Sequence, residues 1–414
     1  MDKYISDILK LAGASITNDV PDITGEIDWD QTYHLLSKGK LTGITYNTVA
    51  KLPEDVKPES GFLARWKGQV FSRGMHQLMA NGELSRVLSA ATEKGLHPIP
   101  FKGILLSCLY PEPNMRFSCD ADIYIDTSEK AEMETLLVSL GFTPNLEHSI
   151  EHVAVYQNFE SGHKLAIELH DCLWEDYVGP QTKVLESLKL TSPDTLIHTT
   201  ACGISVCTLG HTQHLIYQIF HAAKHFAFDA LPMRYLLDLT VFINAHYNHI
   251  DFPAFWDAMK KLSYDKFSHS LFQICVSYMG MNEGSLNPAY VSLPLNESLL
   301  VDLVDAGREL DPKIGHWASK EAILPYFLRQ NKIGTTEFER KKSRYFPSAE
   351  ELKDKFGYAK KCKLLLPVAW CHRFISAFIY VVRNKIQKRS TTTIFSNADY
   401  RLALLQDLGM LEEK

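Results

Sequence analysis

The chain has 414 residues, of which 45% are hydrophobic and 22% charged. At roughly 100–200 residues per domain that length makes about two or three domains. With 21 Phe, 18 Tyr and 6 Trp it carries too much apolar material for a disordered chain. Lys and Arg number 43 against 49 Asp and Glu, a net charge of −6. That excludes a surface built to coat DNA or RNA, but not a small anionic ligand held by a few local cations.

The eight cysteines (Cys108, Cys119, Cys172, Cys202, Cys207, Cys275, Cys362 and Cys371) contain no C-x-x-C pair. The expectation is reduced, mostly buried thiols in a cytoplasmic protein. Met1–Asp7 carries charges where a signal peptide needs an unbroken apolar run. Leu364–Val382 is 19 residues and nearly all apolar. His372 and Arg373 fall at its centre, where a charge costs about 2.5–3.5 kcal/mol on an insertion scale, and Pro367 interrupts it. A buried helical hairpin is expected there, and no membrane span.

In chain order, residues 1–95 read as helical. Asp30 is expected to cap a helix over 31–38 with Gly39 past its end. Residues 65–94 carry a helical apolar pattern of Val70, Met75, Leu78, Met79, Leu84, Val87 and Leu88, closed by Gly95. The texture then changes. Leu96-His97-Pro98-Ile99-Pro100-Phe101 is too rich in proline for a helix and reads as a short edge strand. Lys102-Gly103 opens a short helix that Pro111 stops. Residues 121–125 read as a strand, Thr127 or Ser128 as the cap of a helix ending at Gly141, and 153–159 with 164–170 as a hairpin turning at Glu160–His163. From 211 the pattern is helical again, over 211–226, 232–246, 253–262, 266–280 and 296–308. The expected architecture is α+β: a small mixed-sheet core at 96–175, set between a helical region at 1–95, a helical domain at 176–345 and a helical extension at 346–414.

The chemistry concentrates in 96–170. Asp120 and Asp122 lie two apart on a strand and so share a face. Two such carboxylates repel unless a cation sits between them, and Mg²⁺ takes oxygen ligands and bridges carboxylates to phosphates. Asp28-Trp29-Asp30 has the same spacing, but at a helix start an N-cap with a dipole-matched acid explains it. Glu168 lies between Ile167 and Leu169 in a hydrophobic strand, where a buried acid needs a partner, either this cluster or a basic side chain. Gly103 permits close backbone approach, Lys102 adds a positive charge, and Arg116 could hold a phosphate or neutralise the acids. Downstream, His214, Gln218, His221 and His225 share one helical face beside Lys224. That face could line a ligand pocket, bury hydrogen-bonded histidines, or contribute a zinc pair. Arg234 and Asp238, one turn apart, could be a simple ion pair.

Several of these runs resemble a known family. Pro98–Gly103, Leu109–Pro113, Arg116 and Asp120–Ile123 are similar to the K-G, L-Y-P, R and D-x-D-L signature of the uncharacterised nucleotidyltransferase family, within the polymerase-β-like superfamily. Ile27–Asp30 resembles its N-terminal helix start, and Ile167–His170 its acid-Leu-His strand. His214-Leu215, His221, Lys224-His225 and Arg234–Asp238 resemble its downstream helical block, and Tyr345–Ser348 its F-P-S element. Two departures stand out. The superfamily usually carries G-S or G-G at the place of Lys102-Gly103, and an aromatic usually stands where this chain has Asp171. The resemblance implies a nucleotidyltransferase palm and two-metal transfer of NMP from an NTP to a hydroxyl of an unidentified acceptor. Asp120, Asp122 and Glu168 would hold Mg²⁺, while Lys102, Gly103, Arg116, His170, His221, Lys224, His225, Arg234 and Asp238 would face the nucleotide. Two alternatives compete: a D-x-D glycosyltransferase, which would want more βα units before the acids, and a non-catalytic nucleotide-binding protein of the same fold.

Overall fold

Alternation along two strands sets the layers. In this computed structural model, which describes residues 3–118, 120–149, 152–158, 165–174, 181–201, 203–228, 231–304, 346, 357–375 and 392–411, five strands form one mixed sheet in the order β1-β2-β5-β4-β3. They are β1 (Ile99–Phe101), β2 (Asp120–Tyr124), β3 (Thr143–Pro144), β4 (Val153–Asn158) and β5 (Leu165–His170). β2 and β5 pair in parallel; the other neighbours are antiparallel. Ala121, Ile123, Ile167 and Leu169 point to one side and are buried against Leu84, Val87 and Leu88 of α4 (Ser60–Glu93) and Met133, Leu136 and Leu137 of α6 (Lys130–Ser139). By the two-residue period, Asp120, Asp122, Glu168 and His170 face the other way.

That opposite side is closed by helices. α1 (Lys3–Thr17), α2 (Trp29–Lys38), α3 (Thr42–Ala50), α8 (His211–Phe228), α9 (Arg234–His246), α10 (Phe252–Lys261), α11 (Asp265–Met279) and α12 (Glu297–Val304) share a second, larger core. The short helix α5 (Gly103–Ser107) links β1 toward β2. Leu404, Leu405, Leu408, Met410 and Leu411 join the same core, and Arg401 of the 392–407 helix pairs with buried Asp302 at 2.7 Å. Gly13 lets α1 cross α11 closely: a Cβ there would lie 2.1 Å from the Tyr278 carbonyl oxygen.

Several expectations are corrected. Asp28, not Asp30, caps α2, accepting from the Gln31 N–H, and Asp30 sits in the first turn. No side chain caps α6: Asp126 instead closes a turn by accepting from Ser128 N and Oγ. On α4, Val70, Leu84, Val87 and Leu88 are buried, but Met75, Leu78 and Met79 are exposed. The region 176–209 is not purely helical: α7 (Gln181–Leu188) is followed by a hairpin of β6 (Leu196–Ala201) and β7 (Ile204–Leu209). Thr208 Oγ1 donates to the Pro100 carbonyl at 2.7 Å, so the hairpin leans on β1. Ala201 and Val206 enter the sheet core, as do Leu84 to Ala91, so this core extends on both sides of 96–175. The 366–375 segment is helical, but Val368, Phe374 and Ile375 are exposed, as is Leu364, so the described part is no buried hairpin. Among the described residues no helix is long and apolar enough to cross a membrane. Cys108 is disulfide-bonded rather than reduced. Of the free thiols that are described, Cys275 is buried whereas Cys362 and Cys371 are exposed. The turn at 160–163, Cys119, Cys202, residues 305–308, Tyr345, Pro347-Ser348 and 376–382 lie outside the described residues.

Candidate active site

Strand register builds the centre. The parallel β2–β5 pairing sets Asp122 opposite Glu168, and Tyr124 opposite His170. Ligand atoms of Asp122, Glu168 and His170 lie within 4.8 Å of one another. His170 Nε2 is 3.3 Å from Asp122 Oδ1 and 3.7 Å from Glu168 Oε2, yet it is buried and makes no hydrogen bond. Two carboxylates and an imidazole nitrogen fit a divalent ion of the Mg²⁺–Mn²⁺ type. Asp120 shares their face but turns aside: its carboxylate is exposed and accepts from Ser118 Oγ at 2.8 Å. Of the three expected acids, Asp122 and Glu168 lie in this donor cluster with His170, and Asp120 lies outside it.

Lys102 completes the cluster. Antiparallel β1–β2 pairing sets Phe101 opposite Asp122, so the next residue reaches the same carboxylate. Its ammonium lies 2.8 Å from Asp122 Oδ1 and 3.1 Å from His221 Nε2, over the rings of Phe101 and Tyr217 at 5.4 and 5.3 Å. The Lys102 backbone has φ 55° and ψ −125°, a conformation that favours glycine and costs an ordinary residue about 1–3 kcal/mol. The lysine N–H donates to His214 Nε2 at 3.1 Å, so this amide is already spent and does not await a phosphate. Burial alone would raise the Asp122 pKa, but the adjacent Lys102 charge and His170 hold it far below the usual carboxylate range. Burial works against His170⁺, and the nearby Asp122 and Glu168 carboxylates overcome it, raising that pKa.

The α8 face divides into two roles. His214 is buried and pushed down to about 3, chiefly by desolvation, so it stays neutral as an acceptor for Lys102 N. His221 is likewise driven well down by burial and then by Lys102. Because an ammonium only donates, His221 Nε2 accepts, its proton sits on Nδ1, and Nδ1–H donates to Tyr235 Oη at 2.8 Å. Gln218, His221, Lys224 and His225 line a cavity of about 590 Å³, a volume usual for small-molecule sites. Asp120, Asp122, Glu168, His170 and Lys102 form another wall of it. The zinc reading is not met: among the described residues only Asp122, Glu168 and His170 converge as a metal-type donor set.

Arg116 and Asp238 prove to be partners. Arg116 Nε and Nη2 donate to the two Asp238 oxygens at 2.6 and 2.7 Å, and Nη1 to the Gly103 carbonyl at 3.3 Å. Tyr110 Oη adds a third bond to Asp238 at 2.6 Å. Burial would raise the Asp238 pKa, but the Arg116 charge depresses it. Arg234 stays 3.8 Å from Asp238, so the expected one-turn pair is the weaker contact; its guanidinium also donates to the Phe117 carbonyl. Gly103 sits under this clasp with room for a Cβ, its nearest neighbour being 3.8 Å away. The sequence reading missed Tyr110, Tyr217 and Lys40 as members of the site. Tyr217 had a readable signal, one turn before His221 on the same helical face, and Tyr110 is the tyrosine of the Leu109–Pro113 run that resembles the family's L-Y-P element.

Residues 25–280 match the family described as uncharacterised nucleotidyltransferase. That is more than half of the chain, and the chain belongs to this family, whose class of reaction is nucleotidyl transfer. No curated protein matches it. Three solved structures show limited likeness. The solution structure of the antibiotic-resistance factor ANT(2'')-Ia is 14% identical over 40% of this chain and 82% of its own, with TM-score 0.29. The crystal structure of ANT(2'')-Ia in complex with adenylyl-2''-tobramycin is 13% identical over 38% of this chain and 84% of its own, TM-score 0.29. An antigenic nucleotidyltransferase-like protein from Paracoccidioides brasiliensis is 13% identical over 51% of this chain and 94% of its own, TM-score 0.32. At such scores the likeness carries no argument about substrate.

Proposed function

We propose that the chain is a Mg²⁺-dependent nucleotidyltransferase that moves NMP from an NTP to a hydroxyl of an acceptor, with the β1–β5 sheet as its palm. The catalytic core is then the 96–175 sheet with the parts of α4 and the β6–β7 hairpin that pack into it, and the remaining segments of 1–95, 176–345 and 346–414 are its flanks. One observation carries this reading: the register that brings Asp122, Glu168 and His170 within 4.8 Å on a wall of the cavity. A bound divalent ion there would neutralise phosphate charge and ease ionisation of the attacking hydroxyl.

In this reading the acceptor oxygen bonds to the α-phosphorus as the bridge to the β-phosphate breaks, and pyrophosphate leaves with that electron pair. Asp120, exposed and outside the donor cluster, takes the acceptor's proton. Lys102 meets phosphate oxygens, and the wall of His221, Lys224, His225 and Arg234 positions the nucleotide. Little covalent work falls to the protein, so holding and charge compensation dominate. Only β1 precedes Asp120 within the sheet, which does not favour the glycosyltransferase alternative. The test is label transfer from [α-³²P]NTPs to candidate hydroxyl acceptors with Mg²⁺. Asp122→Asn should lose at least 10³-fold in rate; transfer at the wild-type rate would sink the assignment.

A further inference from the structure

We infer that Lys102 is a resident cation standing in for one of the two metal ions, so that the chain binds a single divalent ion together with its nucleotide. The inference rests on the nucleotidyltransferase reading, and it concerns how many ions that site admits.

The position of the ammonium is built, not incidental. It is held 2.8 Å from Asp122 Oδ1, the oxygen that also lies 3.3 Å from His170 Nε2. His221 accepts from it at 3.1 Å, and Tyr235 fixes the His221 tautomer from the far side of that ring. The backbone N–H of the same residue is tied to His214. The chain also places a lysine where φ is 55°, although glycine would adopt that conformation freely. A strained residue with its side chain and amide both captured is the pattern of a group retained for what it does there.

Charge supports the same count. Within the donor cluster Lys102 already offsets Asp122, one of the two carboxylates, so a single divalent ion is enough for the charge that remains. A second ion at Asp122 would have to share its carboxylate with an ammonium at hydrogen-bond distance, a like-charge approach that a buried site disfavours. Asp122, Glu168 and His170 remain as the donor set for one ion, with a nitrogen donor that Mn²⁺ accepts readily. Unlike a metal, Lys102 cannot leave with pyrophosphate or be removed by a chelator, so this positive charge at Asp122 belongs to the fold.

The test counts ions. Mn²⁺ binding to the full chain is measured by electron paramagnetic resonance and calorimetry, with a nonhydrolysable NTP analogue at saturation. The analogue's own Mn²⁺ complex is subtracted from a protein-free titration. Wild type should take up one Mn²⁺ per chain. Lys102→Met, which keeps the stem packed between Phe101 and Tyr217, should take up a second, at least tenfold more tightly than wild type does. Lys102→Arg should stay at one. Two saturable ions on wild type, or none, overturn the inference without any variant. An unchanged count in a Lys102→Met protein whose circular dichroism matches wild type overturns it too. Nucleotidyl transfer is scored separately: two ions with transfer refutes the single-ion count and leaves the activity standing, whereas the predicted counts without transfer refute the activity alone.

Discussion

Replacing Asp238 by alanine should cost the fold about 3–5 kcal/mol. The value follows from what remains behind. Arg116 and Asp238 side chains are 4% and 5% exposed, with N···O distances of 2.6 and 2.7 Å. At an effective dielectric of about 20 their attraction is of order 6 kcal/mol, most of it offset by the loss of water around both ions. Removing one partner keeps the desolvation of the other and strands the Tyr110 hydroxyl as well. The clasp joins α9 to the loop before β2 and to Gly103, so it ties the helical core to the sheet. Urea unfolding followed by tryptophan fluorescence gives the loss. The double variant Arg116→Met with Asp238→Leu should recover at least half of it, because neither charge is then left buried. The pH sign follows from the depressed Asp238 pKa. The clasp stabilises at pH values above the unfolded carboxylate's, near 4, and that contribution fades as acid drives the pH down through the folded value. A loss under about 1 kcal/mol for Asp238→Ala, or a double variant as damaged as the sum of the singles, would refute the reasoning.

Further outcomes can be set against measurement. Gly13→Ala forces α1 away from Tyr278 and should destabilise by about 1–3 kcal/mol, whereas Gly68→Ala and Gly82→Ala in α4, with nothing within 4 Å, should stabilise by about 0.5–1 kcal/mol each in the same urea assay. His211 stacks on His246 at 4.1 Å, and burial, with His211 and His249 nearby, pushes His246 down to about 4. The folded state then binds fewer protons than the unfolded chain between pH 6.5 and 4, so stability falls over that window. Thermal melts should show the slope in wild type and a shallower one in His246→Phe. Asp302→Ala should release the 392–407 helix, visible as faster amide exchange there with α9 unchanged.

How much of this was legible depends on sequence distance. Glu168 and His170 are two apart in a strand that the alternation reveals, so their shared face could be read; that His170 joins the acids follows from the same period, though the family likeness pointed it at the nucleotide. Asp122 opposite Glu168 needs the parallel register of β2 on β5, which no local pattern encodes. Arg116 with Asp238 is the same case: 122 residues separate them, and the nearby Arg234 offered a local partner that the packing did not choose. The α8 histidines were legible as a face, but only burial separates His214, a backbone-holding acceptor, from His221 and His225 on the cavity. The β6–β7 hairpin carried a signal in its alternating Ile197, Thr199, Val206 and Thr208 around Gly203, whose φ of 85° makes the turn. Cysteine spacing gave no hint that Cys108 is bridged.

The ends of the five-stranded sheet bear on how this protein meets other chains. Both outer strands are short and each contains a proline, Pro100 in β1 and Pro144 in β3. Proline offers no N–H, and Thr208 already occupies the Pro100 carbonyl. A foreign strand arriving at either border finds too few free backbone groups to add itself to the ladder. Among the described residues, the five-stranded sheet therefore offers little at either border for another strand to extend.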